Sequence, residues 1–169
     1  MYSQILYPTD GSEGAEAVME HITDLAEKYD SRIHLLYVVD SDYSKSGMTI
    51  KRDDKGVWKT GMTSRGRGED QGGMSSDKVD VLEVLQREGD ELVEEIAGEL
   101  SNSGYKTRQA CKQGKPHRVI CRYAEENDID LIAMGTHGRS GVQRQLIGSV
   151  TEKVVRTSST PVLTVRLNE

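Results

Sequence analysis

The sequence predicts an α/β domain: a doubly wound sheet of five parallel strands with helices on both faces. Three observations carry this reading. Short apolar runs alternate with segments of helical period along most of the chain. Each run is separated from the next by a helix, as parallel pairing requires. Leu131-Ile132-Ala133-Met134 is apolar throughout, the pattern of a strand buried on both faces. The length of 169 residues suits one core that needs no disulfide staples.

The elements follow in order. Ile5-Leu6-Tyr7, ended by Pro8, reads as the first strand. Ala15, Val18, Met19, Ile22, Leu25, Ala26 and Tyr29 then fall on one face of a helix. Asp10 and Ser12 are alternative caps for its start. Ile33 to Val39 is the second strand, apolar except for His34. Residues 41–77 interrupt the alternation with seven apolar residues and seven glycines in 37 positions, and seven Lys/Arg against six Asp/Glu. This window has neither helical nor strand period and reads as a flexible, polar insertion within one domain spanning 1–169.

A long helix is expected over about 78–102, with Leu82, Leu85, Leu92, Ile96 and Leu100 in a stripe and Gly104 as its stop. Tyr105 to Ala110 is a weaker strand. Pro116 opens a third helix bearing Val119, Ile120, Tyr123 and Ala124. After strand 131–134, Ile147, Val150, Val154 and Val155 mark a fourth helix, and Val162-Leu163-Thr164-Val165 is the last strand.

Composition bounds the function. The hydrophobic fraction is 35% and the net charge is −6, so a general nucleic-acid binder, which needs a cationic face, is not expected. No window approaches 18 consecutive apolar residues, and no membrane span is expected. Two cysteines, Cys111 and Cys121, without a leader-like N-terminal stretch fit a reducing cytoplasm. Both read as core or subsurface residues. His21 and His34 read as structural, His117 as a surface residue, and Asp40 and Asp42 as solvated.

Chemistry is expected beyond the carboxyl ends of the strands, where the winding direction switches. Two loops there are distinctive: Pro8-Thr9-Asp10-Gly11-Ser12, and Gly135-Thr136-His137-Gly138-Arg139-Ser140-Gly141 followed by Gly148-Ser149. Glycines let a backbone approach a ligand. Ser149, Val150 and Thr151 open a helix whose free N–H groups attract an anion. Arg139 adds a cation, while His137 reads as shaping the loop. The patterns G-x-x-x-x-G-K-S/T and G-x-G-x-x-G are absent from the places where they would carry phosphate chemistry. In the insertion, Lys51, Arg52, Lys55, Arg65 and Arg67 face a choice between surface loop and lid, and the loop is the preferred reading.

Gly135-x2-Gly138-x9-Gly148-Ser149 resembles the G-2x-G-9x-G-(S/T) pattern of the ATP-binding universal stress proteins. The opening Ile5–Glu13, the run Asp130–Gly141 and the ending Pro161–Val165 are similar to that family as well. The resemblance implies the adenine nucleotide alpha hydrolase-like fold with strand order 3-2-1-4-5. It implies that Pro8, Thr9 and Asp10 floor the site and that the backbone at Val38 reads adenine. Met134 and Gly135 would flank the ribose. Gly138, Arg139, Ser140, Gly148, Ser149, Val150 and Thr151 would cradle phosphates, with His137 among them. ATP, or ADP or AMP, is the implied ligand, with Mg²⁺ or Mn²⁺ held by phosphate oxygens, water and Asp10. The resemblance further implies a homodimer through strand 162–166 and slow ATP hydrolysis at most. The alternatives are an ATP hydrolase or nucleotidyl-transfer enzyme, and a module that binds a protein partner around a structural nucleotide.

Overall fold

A computed structural model of the chain describes residues 1–42, 48–52, 58–62, 81–136 and 147–166. The strands are β1 (Gln4–Pro8), β2 (Arg32–Asp40), β3 (Met48–Arg52), β4 (Trp58–Met62), β5 (Lys106–Gly114), β6 (Leu131–Gly135) and β7 (Val162–Val165). The helices are α1 (Glu13–Glu16), α2 (Met19–Tyr29), α3 (Val81–Asn102), α4 (Pro116–Glu126) and α5 (Ser149–Thr157). Five strands form one parallel sheet in the order β5-β2-β1-β6-β7. Numbered within that sheet alone, this is the expected order 3-2-1-4-5.

The alternation of each strand divides the core into two layers. Ile5, Tyr7, Ile33, Leu35 and Val39 face α2 and α3. Leu6, Leu36, Ile132 and Met134 face α4 and α5. β1 lies at the centre, and Ile5 and Leu6 are fully buried. Its N-terminal end is tied to β6 by Asp130, whose Oδ2 accepts from Ser3 N–H at 2.8 Å, Ser3 Oγ at 2.8 Å and Gln4 N–H at 2.9 Å.

Helix ends follow their local chemistry. Gly104 has φ +91, and the N–H groups of Gly104 and Tyr105 close on the carbonyls of Ser101 and Leu100. This is the left-handed cap that glycine favours. Pro116 at the start of α4 supplies the φ that a first helical turn needs.

The structure departs from the sequence reading in four places. The first helix is two: α1 ends at Glu16 and α2 begins at Met19. The carbonyl of Ala15 accepts from Tyr7 Oη at 2.8 Å and from Val18 N–H at 3.1 Å, a three-residue closure that interrupts the i→i−4 ladder. β5 runs on to Gly114, because every residue from Lys106 to Gly114 finds a partner along β2 despite its polar sequence. Within 41–77, β3 and β4 pair as an antiparallel hairpin. The sequence of that window, which lacks a strand period, does not signal it. Finally, Ile147 precedes α5 and, like Val155, is exposed, so neither belongs to the apolar face.

α3 approaches the sheet at Gly89. A Cβ there would lie 2.4 Å from Tyr37 Cδ1 and 2.8 Å from Cys111 Sγ. Gly89→Ala is expected to destabilise the fold by about 1–3 kcal/mol, since the ring and the sulfur must both move. Gly98→Ala, where nothing lies within 4 Å, is expected to gain up to about 1 kcal/mol from helix propensity. Urea unfolding of the two variants measures both.

Candidate functional site

The topological switch lies between β1 and β6. From β1 the chain turns to α1 on one face of the sheet, and from β6 it leads to α5 on the other. Ligands of open α/β sheets bind at the carboxyl ends of such a strand pair. Pro8 stands at that end of β1 and Gly135 at that end of β6.

The β1–α1 loop is held rigidly. Thr9 N–H donates to Leu36 O at 3.0 Å, prolonging the β1–β2 ladder by one bond. The Thr9 hydroxyl oxygen accepts from Gly11 N–H at 3.2 Å, and Asp10 Oδ1 accepts from Ser12 N–H at 3.0 Å. Gly11 sits at φ +72, in the left-handed region. Ser12, rather than Asp10, caps α1, its Oγ accepting from Ala15 N–H at 3.3 Å. Tyr7 lies beneath this loop. Burial pushes its hydroxyl up to about 12, against the hydrogen bond with Thr9, while the charges of Glu16 and Asp10 raise it further. Tyr7 therefore stays a neutral donor to the Ala15 carbonyl. Sequence reading placed it in the strand but missed this support, which only its hydroxyl could have signalled.

The second half of the crest is built from β6 and α5. Gly148 N–H donates to Thr136 O at 2.6 Å, and Thr136 N–H donates to Val165 O at 2.9 Å. Thr151 Oγ1 donates to Gly135 O at 2.8 Å. Together these bonds fix the N-terminus of α5 against the end of β6. Gly148 is the N-cap residue and contributes no side-chain bond. The N–H groups of Ser149, Val150 and Thr151 precede the first intrahelical donor, Glu152 N–H, which reaches the Gly148 carbonyl at 2.9 Å, and among the described residues they have no acceptor.

Thus Pro8, Thr9, Asp10, Met134, Gly135, Gly148, Ser149, Val150 and Thr151 meet at one end of the sheet. Val38 joins them from the neighbouring strand, two residues beyond the Pro8–Leu36 pair. Val38, Met134 and Val150 turn their side chains into the α4–α5 core cluster. The Thr151 hydroxyl proton is committed to Gly135 O, so Thr151 offers its backbone N–H. His137, Gly138, Arg139 and Ser140 lie outside the described residues, as do Lys55, Arg65 and Arg67.

Other residues singled out in the sequence have structural partners. His34 is buried, with Nε2 2.7 Å from Gln4 Oε1 and Nδ1 3.1 Å from Tyr123 Oη. Asp40 Oδ1 accepts from Asp42 N–H at 3.0 Å, a local turn at the exit of β2. Cys111 and Cys121 are free thiols, and burial pushes Cys111 up to about 11, assisted by Asp90 and opposed by its hydrogen bond to Gln86. Cys111 is therefore not an activated thiolate.

This arrangement defines a small, doubly wound α/β domain whose switch-point loops present backbone donors at a sheet crest. A family model described as the universal stress protein family matches residues 1–166. The universal stress protein MJ0577 of Methanocaldococcus jannaschii is 32% identical over 166 residues, covering 98% of this chain and 96% of its own. Its solved structure superposes with a TM-score of 0.77 at 30% identity, over 100% of this chain and 99% of that one. A universal stress protein of Methanothermobacter thermautotrophicus is 32% identical over 158 residues, covering 92% and 89% of the two chains. A universal stress protein family protein from Arabidopsis thaliana, solved with AMP bound, shares the fold at 17% identity and a TM-score of 0.59, over 98% and 92% of the chains. The chain belongs to the universal stress protein family.

Proposed function

We propose that this protein binds ATP, or ADP or AMP, at the β1–β6 crest and serves as a cytoplasmic stress-response or signalling module, with slow hydrolysis at most. The observation that carries the reading is the N-terminus of α5. It is pinned to β6 by two hydrogen bonds and presents three successive N–H groups beside the β1–α1 loop. Oriented donors at a helix N-terminus suit a phosphate chain. The AMP-bound structure of the Arabidopsis thaliana protein supports an adenine nucleotide as the ligand class.

In this reading Thr9 and Asp10 form the floor and the backbone of Val38 meets the base. Gly138, Arg139 and Ser140 complete the phosphate cradle, with His137 shaping its loop. A Mg²⁺ or Mn²⁺ ion accompanying the nucleotide would take its oxygens from phosphate, water and the Asp10 carboxylate, the hard donors such ions prefer. The ion would screen phosphate charge.

Ser149→Pro tests the site with little cost to folding. Proline is favoured at the first helical position, where its missing N–H was never an intrahelical donor. The preceding Gly148, at φ −61 and ψ 147, has the extended backbone that a residue before proline needs. The variant is expected to unfold like the parent but to bind MgATP about 10–100-fold more weakly by calorimetry, the worth of one charge-assisted hydrogen bond. Ser149→Ala, which keeps the N–H, is expected to bind within a few-fold of the parent. Equal affinity in parent and Ser149→Pro would remove α5 from the site. Steady-state phosphate release above about 1 s⁻¹ would instead make the protein an enzyme.

The reading includes a homodimer through residues 162–166. β7 is the last strand of the sheet, with one edge unpaired among the described residues, and such edges invite a second chain. Sedimentation at micromolar concentration is expected to give twice the chain mass, and a monomer would refute the pairing.

A further inference from the structure

Charge is divided between the two helical layers. α3 carries seven acidic residues and one arginine. Glu83, Asp90, Glu91, Glu94, Glu95 and Glu99 on it are exposed. Residues 105–124, which form β5 and most of α4, carry six Lys/Arg and no acidic residue. α3 packs on one face of the sheet and α4 on the other. A chain with a net charge of −6 thus has one strongly acidic layer and a cationic surface on the opposite one.

The cationic surface is contiguous. On β5, Arg108 and Lys112 share the strand face of Ala110, which packs into the α4–α5 cluster. Lys115 precedes α4, Arg118 lies in its first turn, and Lys153 comes from α5. All five are exposed, and none has an ion-pair partner among the described residues. The first turn of α4 has no acidic residue and no side-chain cap, although the positive end of a helix favours negative charge. His117 sits amid this field. Its ring is pushed below the ordinary histidine range by burial first, then by Lys153, Arg118 and Lys115.

We propose that the acidic face of α3 on one copy docks on the β5–α4–α5 cationic surface of the next, so that the chain assembles head to tail with itself. The two surfaces are complementary in sign and similar in charge count, and both belong to this chain. They lie on opposite layers, so they cannot neutralise each other within one molecule. For the same reason one partner cannot occupy both at once. The contact is therefore heterologous and continues beyond two copies. It is separate from the edge of β7 and makes no use of the nucleotide crest. Its strength depends on ionic strength, because exposed charges are screened beyond about 10 Å at 0.1 M salt.

Sedimentation of the full chain at low and high salt tests this. Between roughly 0.5 M and roughly 0.02 M salt, where the screening length grows several-fold, the weight-average mass is expected to rise at least threefold. Arg118→Glu/Lys153→Glu and Glu91→Lys/Glu95→Lys are each expected to keep the high-salt mass at low salt. Mixing these two variants, one keeping its acidic α3 and the other its cationic surface, is expected to raise the low-salt mass above that of either variant alone. A parent mass that ignores salt would overturn the proposal, as would low-salt growth in the Arg118→Glu/Lys153→Glu variant. Capture of a synthetic oligonucleotide by a parent whose mass ignores salt would assign the surface to a polyanion instead.

Discussion

Gly135→Ala is expected to lose about 3 kcal/mol or more of folding stability, the upper range for overpacking a well-packed site. A Cβ at Gly135 would lie 2.0 Å from the Gly14 carbonyl oxygen, 2.6 Å from its carbon and 3.3 Å from Ala15 N. These are backbone atoms, so no rotamer change relieves the clash. α1 would have to move as a unit. It is held by the Ser12 cap, by Tyr7 Oη on the Ala15 carbonyl, and by the burial of Ala15 and Val18. Displacing it also disturbs the Pro8–Ser12 loop, so nucleotide affinity should fall along with stability. Urea unfolding is the measurement, with Gly98→Ala as the control for adding a methyl group without a clash. A Gly135→Ala midpoint equal to the parent's would show that α1 does not seat on β6 as described.

Acid is expected to weaken the fold well above the range of ordinary carboxylates. His34 is held neutral in the folded state and pushed down to about 4, first by burial and then by the charges of Arg108 and Arg32. With the Gln4 amide oxygen facing Nε2, that nitrogen donates and Nδ1 accepts from Tyr123 Oη, which suits the neutral ring. In the unfolded chain the imidazole takes up its proton near its ordinary value of 6.5. Between these values the unfolded state binds more protons, so stability falls as pH drops from about 6.5 to about 4. The full loss, reached below that window, is roughly 3 kcal/mol. Below it Asp130 adds to the loss. Burial pushes its carboxyl up, but the bonds from Gln4 and Ser3 and the nearby N-terminal charge outweigh burial and hold it below its ordinary value. Its stabilisation therefore disappears only as pH falls through that lower value. Denaturation midpoints of the parent and His34→Gln, followed from pH 7 to pH 4, should converge as pH falls. Parallel curves would contradict a neutral, buried His34.

The sheet was legible because its strands are short apolar runs, and because helices of clear period separate them. The ends of β1 and β6 were legible for a different reason: turn-forming glycines follow buried strands there. What could not be read was settled by contacts between distant segments. β5 is polar in sequence and becomes a nine-residue strand only because β2 pairs with all of it. The break between α1 and α2 depends on a tyrosine hydroxyl from β1. The described residues that the sequence assigns to the candidate site do come together at one end of the sheet, but their division of labour is not legible in it. Gly135 is required first by the closeness of Gly14, and the Thr151 side chain is a brace between α5 and β6. Val38, Met134 and Val150 serve the core with their side chains. None of these roles follows from spacing, since each depends on which atom of another element lies nearest.

Amide NMR of the labelled protein titrated with MgATP locates the nucleotide on the sheet. The N–H signals of Thr9, Asp10, Ser149, Val150 and Thr151 are expected to shift together and saturably. Those of Ser31, Gly104 and Lys106, at the opposite end of the sheet, are expected to stay in place. No saturable shift, or shifts confined to the opposite end, would contradict a nucleotide site at the β1–β6 crest.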